Sequence, residues 1–253
     1  MLARFLHVLL LLVGVLTIND GATAEEPKVY TVGVEDYENF LPYSQFKDGR
    51  YSGLGKDILD AFAQSENLIF DYQVYPLKRR DNLFVIGKLD LIFPDNPSWI
   101  PDLKRGRNVS YAPMLPFTDG VLVRREDLGK GPDNLRILGT PLGFTPYPYM
   151  QQIQWGQIAI EESPAYDSLY EKLAMGRVDG AYMNTAIARY YFSRNAKFQQ
   201  GIIVYDPSLP HASGFWCLSS IKYPKLIERF KTFLNQNQAL LDTMKRRYQF
   251  TSE

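Results

Sequence analysis

Two spacings of apolar residues alternate along this chain, one of period two and one near three and a half. Tyr30-Thr31-Val32-Gly33-Val34 has the β-branched and aromatic content of a strand, and Leu54, Ile58, Ala61 and Phe62 then recur at helical spacing. Residues 68–75 read as the next strand, 81–86 as a short helix and 89–93 as a third strand, a β-α-β-α-β series that predicts a largely parallel sheet. The pattern restarts at 136–139, passes through a Tyr- and Pro-rich segment to 158–160, and resumes with a helix carrying Leu169, Tyr170 and Leu173. Residues 178–182 read as a strand, 185–193 as a helix and 202–205 as a strand. One long amphipathic helix is predicted to close the chain, with Pro224 in its first turn and Leu226, Phe230, Phe233, Leu240, Met244 and Tyr248 on its apolar face. A second α/β unit therefore begins near residue 120. No low-complexity tract or soft linker separates the halves, so the chain is expected to cross between them on ordered strands.

The N-terminus changes the picture. Arg4 precedes the apolar run 8–13, and Ala22-Thr23-Ala24 offers small residues for cleavage, so residues 1–24 read as a secretory signal peptide cut after Ala24. Thr17, Asn19 and Asp20 interrupt the run, which argues against a membrane-spanning anchor. The 28 basic and 28 acidic side chains balance, and the leader carries one of each. That balance gives no electrostatic reason to expect nucleic acid or an anionic membrane surface as a partner. Cys217 is the only cysteine, so no intrachain disulfide forms, and its apolar neighbours predict a core position.

Nucleophilic catalysis needs a base beside a nucleophile, yet after the leader the chain holds one histidine, His211, six residues before Cys217. These read as a loop histidine and a core thiol, and nothing clusters as a transition-metal site requires. Gly53-Leu54-Gly55 resembles the opening of a dinucleotide fingerprint but lacks its third glycine, and reads better as a bend before a helix. Asn108-Val109-Ser110 is a formal glycosylation acceptor of the kind that recurs by chance. What stands out is a supply of rings in expected loops: Tyr37, Phe40, Tyr43, Trp99, Phe117, Phe144, Tyr147 and Tyr149. Such flat walls suit capture of a small ligand. In 143–149, a glycine and a hydroxyl at a helix start could offer backbone N–H groups to an anion.

The order of motifs resembles the type-3 periplasmic solute-binding proteins, receptors of polar amino-acid ABC importers, over nearly the whole chain after the leader. The resemblance is carried by Val32-Gly33-Val34 with Leu41-Pro42-Tyr43, by Gly53-Leu54-Gly55-Lys56-Asp57-Ile58-Leu59, and by Gly87-Lys88-Leu89-Asp90. It continues in Ser110-Tyr111-Ala112-Pro113, Gly120-Val121-Leu122-Val123-Arg124, Leu138-Gly139 through Gly143-Phe144-Thr145, and Leu173-Ala174-Met175-Gly176-Arg177-Val178-Asp179-Gly180. It implies a type II periplasmic-binding-protein-like fold: two α/β lobes with parallel-rich sheets, a ligand cleft between them, and closure like a hinged trap. Lobe 1 would hold 25–119 and 210–253, and lobe 2 would hold 120–209. The resemblance also implies a monomeric, periplasmic, non-enzymatic protein without cofactor, serving an ABC permease or a membrane sensor.

Two positions depart from the family's amino-acid site. Pro94-Asp95-Asn96-Pro97-Ser98-Trp99 holds no arginine, and Asn184 stands where the family places an acid. Both charge-assisted contacts to a zwitterion are lost. Arg105 or Arg107 could fold back to the cleft or lie in solvent, and Arg79 and Arg80 are equally ambiguous. Tyr37, Phe40, Trp99 and Phe117, with Thr145 and Asn184 from the other lobe, are the expected ligand-binding residues for a small polar molecule. A rival reading makes the cleft a lyase or dehydratase site, with Glu35, Asp36 or Asp95 as general acid.

Overall fold

The computed structural model describes residues 26–196 and 201–250, so the leader reading falls outside the described residues. The elements run β1 (Lys28–Glu35), β2 (Gln45–Lys47), β3 (Arg50–Ser52), α1 (Leu54–Ser65), β4 (Leu68–Tyr75), α2 (Leu77–Val85), β5 (Leu91–Asp95), α3 (Pro101–Lys104) and β6 (Ser110–Arg124). They continue with β7 (Ile137–Pro141), α4 (Met150–Gln154), β8 (Ala159–Ser163), α5 (Tyr166–Ala174), β9 (Gly180–Asn184), α6 (Thr185–Arg194), β10 (Ile203–Tyr205), β11 (Ala212–Ser220), α7 (Pro224–Gln236) and α8 (Gln238–Arg247).

Several elements lie where the periodicity places them, and the differences have physical reasons. Helix α2 starts four residues earlier than 81–86, because its inward face includes charged residues: Arg80 and Asp81 are buried with Phe84 and Val85. Strands β5 and β9 each extend two residues past the apolar run, to Asp95 and Asn184, both buried. The single C-terminal helix is two. At Asn237 the backbone leaves helical geometry (φ −113°, ψ 32°), and the Asn237 amide donates back to the Phe233 carbonyl at 2.9 Å. Side chains that compete for helix carbonyls in this way break regular helices. The β2–β3 hairpin, absent from the periodicity reading, turns at Asp48 (φ 51°) and Gly49 (φ 72°), the left-handed pair that an Asp-Gly turn supplies.

One mixed sheet runs in the order β4-β1-β5-β11-β6-β9-β7-β8, with β10 also on β6. β1 pairs in parallel with β4 and β5, and β7 with β8 and β9. β6 and β11 are the long antiparallel pair in the middle. Helix α1 covers the first strands, burying Leu54, Ile58, Leu59 and Phe62. Gly53 and Gly55 answer to packing at its start: a Cβ on Gly53 would lie 2.6 Å from the Tyr43 carbonyl oxygen, and one on Gly55 would lie 2.3 Å from the Phe93 ring. The bend reading of these glycines is borne out. Cys217 is a core residue, 2% exposed, and burial pushes its thiol up to about 12. No helix among the described residues is long and apolar enough to cross a membrane.

Candidate functional site

Strand register defines an open crevice. Cys217 of β11 is level with Asp95, the last residue of β5, and also with Pro113 of β6. Asn184, the last residue of β9, is level with Asp119 of β6. β5 runs with β6, and β9 runs against it, so the C-terminal ends of two strand groups face each other. The six residue steps of β6 from Pro113 to Asp119 span about 20 Å at ~3.3 Å each. Only β6 and β11 bridge that gap among the described strands, the latter through Ala212 to Trp216. The crevice outside strand carboxyl ends is where open α/β sheets bind ligands.

An aromatic cluster packs on the β6–β11 bridge around Trp216, itself 4% exposed. The Trp216 ring lies 3.9 Å from Tyr43, 5.3 Å from Phe40, stacked upon it, and 6.1 Å from Phe117, and Tyr37 adds to Phe40 at 5.1 Å. Three of the expected site residues, Tyr37, Phe40 and Phe117, are thus brought together, through a tryptophan that loop-directed reasoning passed over. A sheet residue two places from Gly214 shows that signal only once the strand is known. Trp99 is half-buried against the main core and takes part in no ring pair among the described residues. A cavity of about 120 Å³ opens between Asn39, Leu41 and Gln45 on one side and Tyr166, Ile187 and Tyr190 on the other. This is on the scale of an enclosed benzene site, ~150 Å³. A larger one, about 190 Å³, lies elsewhere, among Arg124, Asp127, Lys130 and Asp206.

On the β1/β5 side the two buried cations are already matched. Arg80, 1% exposed, donates to Glu35 at 3.1 Å, to Asp81 at 2.7 and 3.0 Å, and to the Pro94 carbonyl at 2.9 Å. Burial pushes the Glu35 carboxyl up to about 7 against the pull of Arg80. Glu35 and Asp81 hold the Arg80 guanidinium above its ordinary value, although burial alone would lower it. Lys104 donates to Asp95 at 2.6 Å and to the Asn96 carbonyl at 3.0 Å, both side chains being buried. Burial raises Asp95, and Lys104 opposes that rise. Arg105 pairs with Asp102 in solvent, and Arg107 is exposed, so the loop cation that turns inward is Lys104. The ambiguity of Arg80 is likewise resolved: it is buried, not solvated.

On the other side the groups expected at the site already have partners within the protein or lie in solvent. Residues 147–149 form a single 3₁₀ turn and α4 has five residues, so no helix of useful length starts at Thr145. Thr145 is exposed, and the Gly143 N–H already donates to Glu162 at 2.8 Å, which takes the place an anion would have filled. Asn184 caps α6: its Oδ1 accepts from the Ile187 N–H at 3.1 Å, which leaves Nδ2 to donate to Asp119 at 3.0 Å. Asp119, unnoticed in the sequence, is half-buried, and burial raises its carboxyl to about 6 against that one hydrogen bond. His211 contacts the Leu209 carbonyl rather than Cys217. No group of three metal-capable side chains occurs among the described residues.

No protein-family model matches the chain, and no curated protein does. Solved structures match along nearly all of it. The second substrate-binding domain of Lactococcus lactis GlnP, in open conformation, is 16% identical with a TM-score of 0.64, covering 91% of this chain and 98% of that one. A histidine kinase sensor domain with similarity to periplasmic binding proteins is 14% identical with a TM-score of 0.61, covering 88% and 96%. The ancestral amino-acid-binding protein AncCDT-1, a precursor of cyclohexadienyl dehydratase, is 16% identical with a TM-score of 0.59, covering 87% and 94%. The chain therefore has the two-lobe periplasmic-binding-protein fold that its motif order resembles.

Proposed function

We propose that this protein is an exported, periplasmic solute-binding receptor that closes two lobes on a small polar molecule and delivers it to an ABC importer. Lobe 1 comprises 25–119 and 210–253, and lobe 2 comprises 120–209. The observation that carries the reading is the crevice: two sets of strand ends opposed across about 20 Å, bridged by two strands, with the Tyr37, Phe40 and Phe117 rings gathered on the buried Trp216. Two bridging strands make a hinge, and closure around the ligand follows. The GlnP substrate-binding domain supports capture of a substrate between lobes, while the kinase sensor domain supports presentation of the closed form to a membrane sensor. Native mass spectrometry of unrefolded protein identifies any retained ligand, and small-angle scattering then measures compaction on adding it back. An unchanged scattering profile with every bound compound ends this proposal.

One observation favours a second reading. Glu35, with its carboxyl near 7, has the protonation balance of a general acid, and the dehydratase precursor shares this fold. Arg80 holds that carboxyl inside the protein, 4% exposed, which argues for a structural proton instead. Turnover of the retained ligand, abolished by Glu35→Gln, would establish the enzymatic reading.

A further inference from the structure

One carboxylate on the crossing strand, that of Asp119, has no cationic partner among the described residues. Asp119 lies where β6 meets both β9 and β11, level with Asn184 and with Ala212. Phe117, two residues earlier, shares its face of the strand, level with Gly214, so the side chains opposite are small. Asn184 Nδ2 is the single donor on Asp119, and no lysine or arginine among the described residues pairs with it. The orientation of that amide is fixed from behind, because capping Ile187 engages its oxygen.

The two buried cations near the crevice, and one backbone donor, are engaged. Arg80 is divided between Glu35, Asp81 and a carbonyl, Lys104 between Asp95 and a carbonyl, and the Gly143 N–H is held by Glu162. A ligand carboxylate entering here would find no free partner in these groups and would face Asp119. A ligand cation would find a carboxylate two residues along the same face of β6 from the Phe117 ring, and carboxylates and ring faces both stabilise ammonium and guanidinium groups.

Resting on the receptor reading, we infer that Asp119 is the selecting charge of the crevice, and that its ligand carries a cationic nitrogen and no carboxylate. Primary amines, guanidines and quaternary ammonium compounds are that class. Asn184 is a positioning residue that aims the Asp119 carboxylate.

Titration calorimetry of the purified protein with putrescine, agmatine and choline, alongside L-arginine, L-glutamine and glucose, tests this, with scattering as a parallel record of closure. At least one carboxylate-free cation is expected to bind and compact the protein. Asp119→Asn is expected to weaken that binding on the order of 30-fold or more, the cost of truncating one partner of a desolvated charge pair, with the thermal midpoint not lowered. Binding of the cation unaffected by Asp119→Asn, or tight binding of an amino acid or glucose in place of the cations, overturns the inference and leaves the receptor reading standing. If no probe of any class binds or compacts the protein, the receptor reading fails and the inference falls with it.

Discussion

Two regions of this molecule treat buried charge in opposite ways. Behind β1 and β5, Glu35, Arg80, Asp81, Asp95 and Lys104 are almost fully buried, and each is matched by an opposite charge. On the β6 crossing strand, Asp119 is half-buried with a single neutral donor. A matched buried network is architecture: it fixes where α2 and the 96–104 loop sit against the strand ends. An unmatched one is a standing cost, since desolvation disfavours its ionised form and nothing local repays it. Strained or unsatisfied groups of this kind gather at functional sites.

The largest effects should come from breaking the matched network. Arg80→Ala leaves Glu35 and Asp81 buried without their cation and should cost about 3–5 kcal/mol of stability, as removing one partner of a buried pair does. Urea denaturation checks this. Arg80→Met with Glu35→Gln and Asp81→Asn should recover much of the loss, because it removes charge from every member. If Arg80→Ala alone proved neutral, the network would not be architectural and the contrast with Asp119 would collapse.

Asp119 should respond in the reverse direction. Its folded-state carboxyl, near 6, lies above the ordinary ~3.9, so the folded protein holds the proton more tightly than the unfolded chain. Its contribution therefore opposes folding fully above pH 6 and is relieved as pH falls from 6 to 4. Asp119→Asn should raise stability by about 1–2 kcal/mol at pH 7.5, below the full ~3 kcal/mol of the shift because the group is partly solvated. The difference between the two proteins should shrink towards pH 4. Urea titrations across that range measure it, and a difference constant from pH 4 to 8 would show that the carboxylate is not strained. Gain of stability with loss of capture is the trade expected of a binding group.

The sequence carried the architecture further than the site. Alternating periods announced the parallel units, because burial of apolar faces is local in sequence: Val32, Val34, Ile58 and Phe62 report it directly. The crevice depends on register between strands far apart, Asn184 on Asp119 and Ala212 on Asp119, and no local pattern encodes that. Asn184 was legible as a departure from the family's acid, but its partner was not. A lone charge inside the run Phe117-Thr118-Asp119-Gly120-Val121 was the available signal, since an isolated acid in a buried strand needs a reason. Helix α2 was misjudged at its start for the same reason that makes it interesting: its buried face is charged.

Asn184 links the two regimes, and a smaller effect is expected there. Asn184→Ala removes a helix cap, costing about 1 kcal/mol, and also the single donor on Asp119. Asn184→Asp keeps the cap while setting a second carboxylate beside the first, and like charges so close raise the pKa of one of them. Carbon-detected NMR titration of the carboxyl groups should show an apparent value above 6 in that variant. Two independent titrations near ordinary values would mean that the side chains do not face each other.

The smallest effect is expected one residue away from one of the largest, and the pair tests the contrast most sharply. Lys104 and Arg105 are adjacent cations, yet the first is 6% exposed on Asp95 and the second stands in solvent beside Asp102. Lys104→Met should destabilise by several kcal/mol, ~3 or more, because Asp95 is left buried and unpaired. Arg105→Ala should stay within about 0.5 kcal/mol, since an exposed ion pair is worth little. Measured in one urea series, the two variants separate what a charge does from where it sits. Equal effects would mean that the loop 96–104 places Lys104 outward, and the Asp95 side of the network would then have to be redrawn.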